Sequence, residues 1–594
     1  MGARHPYMHN EAEVAFDFVD HIDHWLEYLS ELLNTADSQS RPKFARQIRY
    51  LLEFRAGTNC NINHNRMLRY YYSHRAKNEG DDISLPGEDL SGDDKITSKP
   101  VMTKGNGDAQ AKIDAFIAEF RAREGSTSMS IHPSKPIQSE YEPTDPAFKL
   151  ILKALASEDL FFIQGPPGTG KTTAIVEIIL QVLKAKPNAR ILVCSETHVA
   201  VDNALDRLAK QSRPELMALI LRYPGFAITE FECDRTPEAD ALSRADALWQ
   251  KAYGSAPELT KHLWETLEAS KTHYDEEVKV ARWQGRNLAD MHQVVGVTCN
   301  QIDHLIDSDT QMYDLAIVDE CSKATMPEWL MAMSVAKKCV LVGDHKQLPP
   351  TFCSEEADVL EQMDERKEHL IRNGVIERLF KNLPTELKGT LGKQFRMLPH
   401  IGHFISTHFY NGQLEHHRTT TDHEFQNFGW FTYRSRGMRV PEQRGQEQKI
   451  LINNLEIRII MDRLAEMCDR LKRAKIMRKL SVAVITPYRA QCKALKTALA
   501  KCDFSDQLAV EVDTVDAFQG RQADIVFFSF VRNTGPATFY ADERRINVAI
   551  SRARDAVYLV GDIHYIRSKR LPVLDALAEL DVLIKVDPGF KTKF

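Results

Sequence analysis

The sequence predicts an α/β protein with two tandem domains, each built around a parallel sheet. Strand-length apolar runs alternate with segments of helical periodicity from about residue 148 to residue 208, and a similar alternation begins near residue 429. A third observation separates the two halves. Residues 165–172 fit the pattern G-x-x-x-x-G-K-[ST], which the second half lacks. We therefore expect two similar domains with different roles.

Composition sets broad limits on what the protein does. The chain has 594 residues, a net charge of −6, 43% hydrophobic residues and 27% charged residues, which is typical of soluble globular proteins. No apolar run has the length of a membrane span, and the polar N-terminus lacks the apolar core of a signal peptide. We expect a cytoplasmic or nuclear protein without a membrane partner, and reduced thiols at its ten scattered cysteines.

Apolar spacing divides the chain into segments. Residues 12–55 carry helical spacing, whereas residues 79–94 hold seven acids among Gly, Ser and Pro. The predicted segments are an N-terminal helical region (1–78), a linker or poorly ordered accessory region (79–140), a first domain (141–355) with a helical insertion (209–288), a second domain (356–575) and a C-terminal tail (576–594).

Individual strands and helices follow from the same spacing. Strands of the first domain are predicted at 160–164, 294–297, 315–318 and 339–342. Those of the second are predicted at 429–433, 482–485, 508–512, 525–530 and 556–560. Helices are predicted at 172–184, 454–471 and 491–499.

The pattern at residues 165–172 predicts a nucleoside triphosphate site. Glycines let consecutive N–H groups turn towards phosphate oxygens, Lys171 reaches the outer phosphates, and the Thr172 hydroxyl is a ligand for Mg²⁺. A strand before the loop and a helix after it supply the required setting. The predicted nucleotide-binding residues here are Gly165, Pro166, Pro167, Gly168, Thr169, Gly170, Lys171, Thr172 and Thr173.

Two later strand ends carry polar residues suited to hydrolysis. Asp319 and Glu320 follow an apolar strand, at the edge where open parallel sheets place their ligands. Asp319 is predicted to hold Mg²⁺, and Glu320 to orient and deprotonate the attacking water. Gln347 lies in a loop after the next strand, where its amide is suited to a position near the γ-phosphate.

These motifs, taken in order, resemble those of superfamily 1 helicases. The resemblance covers about residues 148–565. Within the superfamily it is greatest for the branch of the nonsense-mediated-decay RNA helicase and the lagging-strand DNA nuclease-helicase. The matching segments are 165–172, 319–322, 343–350, 394–399, 486–489, 513–520 and 547–554. The resemblance implies two RecA-like domains, ATP and Mg²⁺ as cofactors, and 5′ to 3′ movement on a single strand.

The resemblance also implies roles for residues of the second domain. Arg396 and Arg552 match two arginine fingers that stabilise charge on the γ-phosphate. Phe395 matches a residue that stacks on adenine, and Gly520 lets the backbone approach the nucleotide. Gln522 stands where the family generally has an acid that bonds the ribose. An amide retains that hydrogen bond without the charge.

The family's nucleic-acid contacts map onto strand ends and loops of both domains. Hydroxyls and backbone amides there suit phosphate contacts that ignore base sequence. The alternative is that the threonines cap helices. By position the predicted contacts are Thr197, His198, Thr298, Pro487, Tyr488 and Thr514.

We therefore expect an ATP-dependent helicase or translocase that acts on single-stranded nucleic acid or a tailed duplex. An ATP-dependent clamp that remodels nucleoprotein without processive unwinding is the alternative. DNA and RNA both remain open as substrates, because backbone contacts serve either. The N-terminal region is a candidate contact for protein partners.

Overall fold

The computed structural model describes residues 18–35, 44, 47–48, 51, 141–211, 220–222, 292–304, 313–373, 375–433, 442–444, 449–476, 478–504, 506–580 and 583–585. The predicted linker at 79–140 and nearly all of the predicted insertion at 209–288 lie outside these residues. Within the described segments, no helix combines the length and apolar character needed to cross a membrane.

The first sheet contains seven parallel strands in the order β3-β4-β2-β5-β6-β1-β7. Its strands are β1 Leu160–Gln164, β2 Ile191–Ser195, β3 Ile220–Arg222, β4 Val294–Thr298, β5 Leu315–Asp319, β6 Cys339–Gly343 and β7 Lys388–Thr390. The helices of this half are α1 Phe18–Thr35, α2 Pro146–Ala156, α3 Lys171–Ala185, α4 His198–Gln211, α5 Met326–Ser334, α6 Ser354–Gln362, α7 Glu365–Arg372 and α8 Ile376–Asn382.

Alternate residues of the central strands enter two separate cores. In β1, Phe161 and Ile163 pack with Ile175 of α3, whereas Phe162 packs on the opposite face with Trp329 of α5. All five residues of β1 are buried. Helices therefore cover both faces of the sheet, and this explains why its strands are continuous apolar runs.

The second sheet contains six parallel strands in the order β14-β13-β15-β16-β10-β17. Its strands are β10 Phe428–Thr432, β13 Leu480–Thr486, β14 Leu508–Thr514, β15 Ala523–Ser529, β16 Ala553–Val560 and β17 Leu583–Lys585, with the short pairs β8 Lys393–Gln394, β9 Glu415–His416 and β11 Glu442–Arg444, β12 Lys449–Leu451 beside it. The helices are α9 Pro399–Phe409, α10 Asn454–Ala474, α11 Arg489–Leu499, α12 Thr538–Ala541, α13 Glu543–Ser551, α14 Ile563–Arg567 and α15 Pro572–Glu579.

Three short strands extend the sheets beyond the predicted strand set. β3 pairs with β4 of the first sheet, although residues 209–288 are predicted as a helical insertion. β7 pairs with β1 of the first sheet, although residues 356–575 are predicted as the second domain. β17 pairs with β10 of the second sheet, although residues 576–594 are predicted as a tail. Each has only three residues, too few for a period-2 pattern to stand out in sequence.

The first helix packs on the first domain. Trp25, Tyr28 and Leu29 of α1 are buried in the same core as Phe162. The Tyr28 hydroxyl donates to the carbonyl oxygen of Glu356 at 3.1 Å. The apolar face of α1 is therefore buried against the first domain.

Gly296 of β4 allows α4 to lie directly on the first sheet. A Cβ at this position would lie 2.4 Å from Cδ1 of Leu205 and 2.9 Å from Cγ1 of Val201, both in α4. We expect Gly296→Ala to destabilise the protein by roughly 1–3 kcal/mol, because a well-packed contact must open. Thermal unfolding monitored by circular dichroism measures this loss.

Gly392→Ala is the matched control for this substitution. The nearest atom to a Cβ there is the Gln413 carbonyl oxygen, at 3.8 Å, which is ordinary contact. Equal melting temperatures for the two variants would show that the close approach of α4 to β4 is not needed.

Candidate functional site

The loop between β1 and α3 turns sharply at two glycines. Gly168 and Gly170 have φ angles of +74° and +82°, in the left-handed region that favours glycine. A Cβ on Gly165 would lie 2.1 Å from Cγ of Lys171. Gly170 is the N-cap of α3, so the N–H groups of the first turn lie beside the loop. This is the conformation that an anion-binding loop requires.

An internal hydrogen bond supports the loop. The Thr169 side chain is buried, and its hydroxyl donates to the carbonyl oxygen of Pro166 at 2.7 Å. Thr172 and Thr173 follow in the first turn of α3. The predicted nucleotide-binding residues of this segment therefore form one continuous turn.

Two acids at the end of β5 lie close to the loop lysine. The Lys171 ammonium is 3.5 Å from Oε1 of Glu320 and donates to the Gly165 carbonyl oxygen at 3.1 Å. Glu320 has a φ of +50°, which is uncommon for a residue other than glycine. Its N–H donates to Oδ1 of Asp319 at 2.8 Å. The structure thus brings the predicted lysine and both predicted acids together.

The two acids differ in their electrostatic environments. Burial and the adjacent Glu320 charge raise the pKa of Asp319 to about 7, against the attraction of Lys171. Burial also acts to raise the pKa of Glu320, but Lys171, Lys323 and Arg552 together lower it. Ionisation is therefore favoured at Glu320 over Asp319, and the Glu320 charge makes ionisation of Asp319 costly.

Two arginines of the second domain lie near this acid pair. Nη1 of Arg396 donates to the Ser551 carbonyl oxygen at 3.0 Å, and Nη2 of Arg552 donates to Oε1 of Gln347 at 3.2 Å. Burial lowers the pKa of both, and repulsion from Arg552 helps to lower that of Arg396 to about 9. A pair of desolvated cations is therefore held beside the acids of β5.

A buried hydrogen-bonded chain joins the two domains next to these arginines. Asp344 is fully buried, and its Oδ2 accepts from the Gln347 amide at 2.7 Å and from the Tyr410 hydroxyl at 2.5 Å. The Asn547 amide donates to the Tyr410 hydroxyl at 2.9 Å and to the Lys346 carbonyl oxygen at 2.8 Å. We call Asp344, Gln347, Tyr410, Asn547 and Arg552 the junction.

Phe395 presents its ring beside the glycine loop. Its side chain is 53% exposed, and its N–H donates to the Gly168 carbonyl oxygen at 2.8 Å. The ring lies 5.0 Å from that of His417, measured between centroids. Gly520 has a φ of +84°, and Gln522 is exposed. No hydrogen bond of Gln522 is found among the described residues.

The predicted nucleic-acid contacts differ in accessibility. Thr298 is buried, and its hydroxyl donates to Oε1 of Gln301 at 2.9 Å. The hydroxyl oxygens of Thr197 and Thr514 accept N–H groups three residues ahead, at 3.4 Å. The Thr197 bond lies at the start of α4 and agrees with the alternative of helix capping, whereas Thr514 is followed by a turn. His198, Pro487 and Tyr488 are half-buried at strand and helix ends.

Three junction residues have no role that the sequence predicts. Asp344 lies in the matching segment 343–350, and Tyr410 and Asn547 are separated from it by 66 or more positions. Asn547 is the first residue of the matching segment 547–554, which also contains Arg552. This position is the indication that the sequence gives of a role for Asn547. Tyr410 carries no local indication, because its partner is defined by the packing of the two domains.

Tyr410→Phe tests whether the junction stabilises the protein. The substitution removes a donor from a buried carboxylate, so we expect a loss of about 1–3 kcal/mol in the free energy of unfolding. Tyr558→Phe is the control, because that hydroxyl donates at 3.0 Å to a neutral amide, that of Asn427. Equal losses in urea unfolding would contradict a special contribution from Asp344.

Known protein families match both halves of this chain. Two family models match the chain, and both describe an AAA domain: one matches residues 145–222 and 234–355, and the other matches residues 371–564. Among solved structures, the PRRSV helicase covers 68% of this chain and 53% of its own at 14% identity, with a TM-score of 0.32.

Several curated proteins are similar over most of the chain. DNA-binding protein SMUBP-2 of Rattus norvegicus is 27% identical, covering 78% of this chain and 47% of its own length. An uncharacterized ATP-dependent helicase of Methanocaldococcus jannaschii is 25% identical, covering 74% and 72% respectively. DNA polymerase alpha-associated DNA helicase A of Saccharomyces cerevisiae is 26% identical, covering 70% and 65%.

The chain spans about half the length of the SMUBP-2 relative. The two AAA-domain matches cover the two segments of the chain that carry the motifs. The chain belongs to the superfamily 1 helicases, in the branch that includes SMUBP-2 and DNA helicase A.

Proposed function

We propose that this chain hydrolyses ATP between its two domains and uses the energy to move 5′ to 3′ along single-stranded DNA or RNA. The contact between Arg552 of the second domain and Gln347 of the first carries the proposal. Arg552 is also close enough to Glu320 for its charge to lower the pKa of that acid, which supports a shared site. Hydrolysis at such a site depends on the relative position of the domains.

The first domain supplies groups that suit a triphosphate. N–H groups of the glycine loop bind phosphate oxygens, and Lys171 exchanges its present contacts for the outer phosphates. Phe395 offers an exposed ring at the neighbouring Gly168, where a base can stack. Gly520 and Gln522 are assigned to the nucleotide by family resemblance alone.

Hydrolysis requires a base and compensation of negative charge. Glu320 is the proposed base, because its lowered pKa keeps it ionised and its unusual backbone fixes its position. Arg396 and Arg552 neutralise charge that develops on the γ-phosphate. Gln347 lies between Arg552 and Asp344, so it can transmit a change at the phosphate to the junction.

The residues at the end of β5 fit a divalent metal of the Mg²⁺ type. Asp319 and Glu320 form a buried like-charge pair that raises the pKa of Asp319, and Oε2 of Glu320 is buried without a hydrogen-bond partner. Hard oxygen donors of this kind suit Mg²⁺. We propose Asp319 and Thr172 as its protein ligands, and the metal would neutralise phosphate charge.

Nucleic acid is proposed to bind along the carboxyl edges of both sheets. His198, Pro487 and Tyr488 are accessible there, whereas Thr298 contributes through its backbone because its side chain is buried. The names of SMUBP-2 and helicase A refer to DNA. We propose single-stranded DNA as the first ligand to test, with RNA of matched sequence beside it.

Glu320→Gln tests the hydrolytic assignment. The amide keeps the size of the side chain but removes the base, so we expect ATP turnover to fall about 10²- to 10⁴-fold while nucleotide affinity is retained. A phosphate-release assay measures turnover, and a fluorescent ATP analogue measures affinity. Glu355→Gln, at an exposed position in α6, is the control.

Unchanged turnover in Glu320→Gln would overturn the proposal that this site hydrolyses ATP. Stimulation by single-stranded DNA or RNA at fixed salt then identifies the preferred strand. Strand displacement on a duplex with a 5′ tail separates a helicase from a clamp. A clamp would show stimulated turnover with no displaced strand.

A further inference from the structure

Four side chains of the second domain form a continuous series in which two adjacent rings lie between two cations. The Arg532 guanidinium lies 5.7 Å from the Tyr488 ring centroid, and the Tyr488 and Phe539 centroids are 6.4 Å apart. The Arg545 guanidinium lies 4.5 Å from the Phe539 centroid. We call these four residues the cation–aromatic band. All four are half-buried, so part of each side chain reaches solvent.

The band lies at the carboxyl edge of the second sheet. Tyr488 follows β13 and Arg532 follows β15, and these two strands are neighbours in the sheet. Thr514 ends β14, the strand on the other side of β13. Ligands of open parallel sheets bind at this edge. The band is thus next to a predicted nucleic-acid contact and contains another.

The cations of the band lack acidic partners among the described residues, unlike Arg478 and Arg544 of this domain. Arg478 pairs with Asp422 and Asp524, and Arg544 pairs with Asp542. Arg532 instead donates from Nε to the Tyr488 hydroxyl at 2.7 Å.

Arg545 is the second cation of the band. Its Nε is buried and has no hydrogen-bond partner among the described residues. Its guanidinium packs on the Phe539 ring and makes no ion pair with a described acid. Both band arginines therefore keep positive charge that protein carboxylates do not neutralise, and such charge attracts an anionic ligand.

A strained backbone fixes the position of Arg532. Val531 has a φ of +68°, an outlier for a β-branched residue. Its N–H donates to Oε2 of buried Glu456 at 2.8 Å, and its carbonyl oxygen accepts from the Asn453 amide at 2.9 Å. Further along the loop, the Gly535 carbonyl oxygen accepts from Lys569 at 2.6 Å. The loop is therefore held at both ends.

Packing alone is a weaker explanation for this arrangement. A cation–aromatic contact at a partly exposed site contributes little stability, whereas a left-handed backbone at a β-branched residue is costly. Strain of this kind is typical of segments that position a ligand contact. The charges of Arg532 and Arg545, which no described carboxylate neutralises, also favour a ligand-binding role.

We propose that the cation–aromatic band binds single-stranded nucleic acid, with Arg532 and Arg545 on phosphates and Tyr488 and Phe539 stacking on bases. Aromatic rings combined with cations are the usual surface for strand binding without base specificity. The proposal rests on the proposed function and adds Arg532, Phe539 and Arg545 to Tyr488, the predicted contact that the band contains. It makes the loop after β15 part of the strand path.

Fluorescence anisotropy with labelled oligothymidylate and oligouridylate of equal length tests the band. We expect Arg532→Ala and Arg545→Ala each to weaken binding and to reduce the slope of log K against log salt by about 1, because one phosphate contact is lost. Phe539→Ala is expected to weaken binding roughly 5- to 150-fold, as loss of one stacked base does, with the salt slope retained.

Arg473→Ala is the matched control, since this exposed arginine of α10 bonds a carbonyl oxygen of its own helix, that of Asp469. Its affinity and salt slope should equal those of the wild type. Thermal melts of each variant establish folding. Arg545→Ala decides the test if Arg532→Ala unfolds early, because Arg545 has no side-chain hydrogen bond at Nε to lose.

Two outcomes would overturn the proposal, and they differ in whether the proposed function also fails. If the wild-type protein binds the oligonucleotides and the band variants bind equally well with the same salt slope, the strand path lies elsewhere and the proposed function stands. If the wild-type protein binds neither oligonucleotide, the proposed function fails and the band proposal fails with it.

Discussion

The proposed site between the two domains depends on the hydrogen bond from Arg552 to Gln347. It joins the second domain to the first at 3.2 Å, and the buried Asp344 fixes Gln347 from the other side. Tyr410 and Asn547 close the chain of bonds with contacts from α9 and α13. A buried polar chain of this kind is sensitive to the loss of any member, because each remaining group would be left without its partner.

Charge is divided between the two domains. The first contributes the acids Asp319 and Glu320, and the second contributes Arg396 and Arg552. Burying two like charges side by side costs free energy when no opposite charge is near. The raised pKa of Asp319 and the lowered pKa of Arg396 reflect this cost. A metal–triphosphate complex carries both signs of charge and would relieve both pairs. This complementarity explains why the proposed site requires both domains.

Much of this site could be predicted from sequence because its parts lie in contiguous motifs. The glycine loop, β5 with its two acids, and the segment ending at Arg552 each combine a strand or helix with a fixed local spacing. Tyr410, Arg532 and Phe539 could not be predicted in this way. Their roles arise from contacts between distant segments, and only packing brings those segments together. β7 and β17 could not be predicted for the same reason. Each is too short to show a strand pattern in sequence, and each forms a strand by pairing with a distant one.

We propose that Arg552 acts on ATP bound by the other domain. The ATP turnover of Arg552→Ala at saturating nucleotide and single-stranded DNA, measured together with its nucleotide affinity, tests this role. We expect a loss of turnover of about 10³- to 10⁵-fold, as for other arginine fingers, with affinity changed far less. Turnover close to that of the wild-type protein would contradict it, and would confine the catalytic site to the first domain.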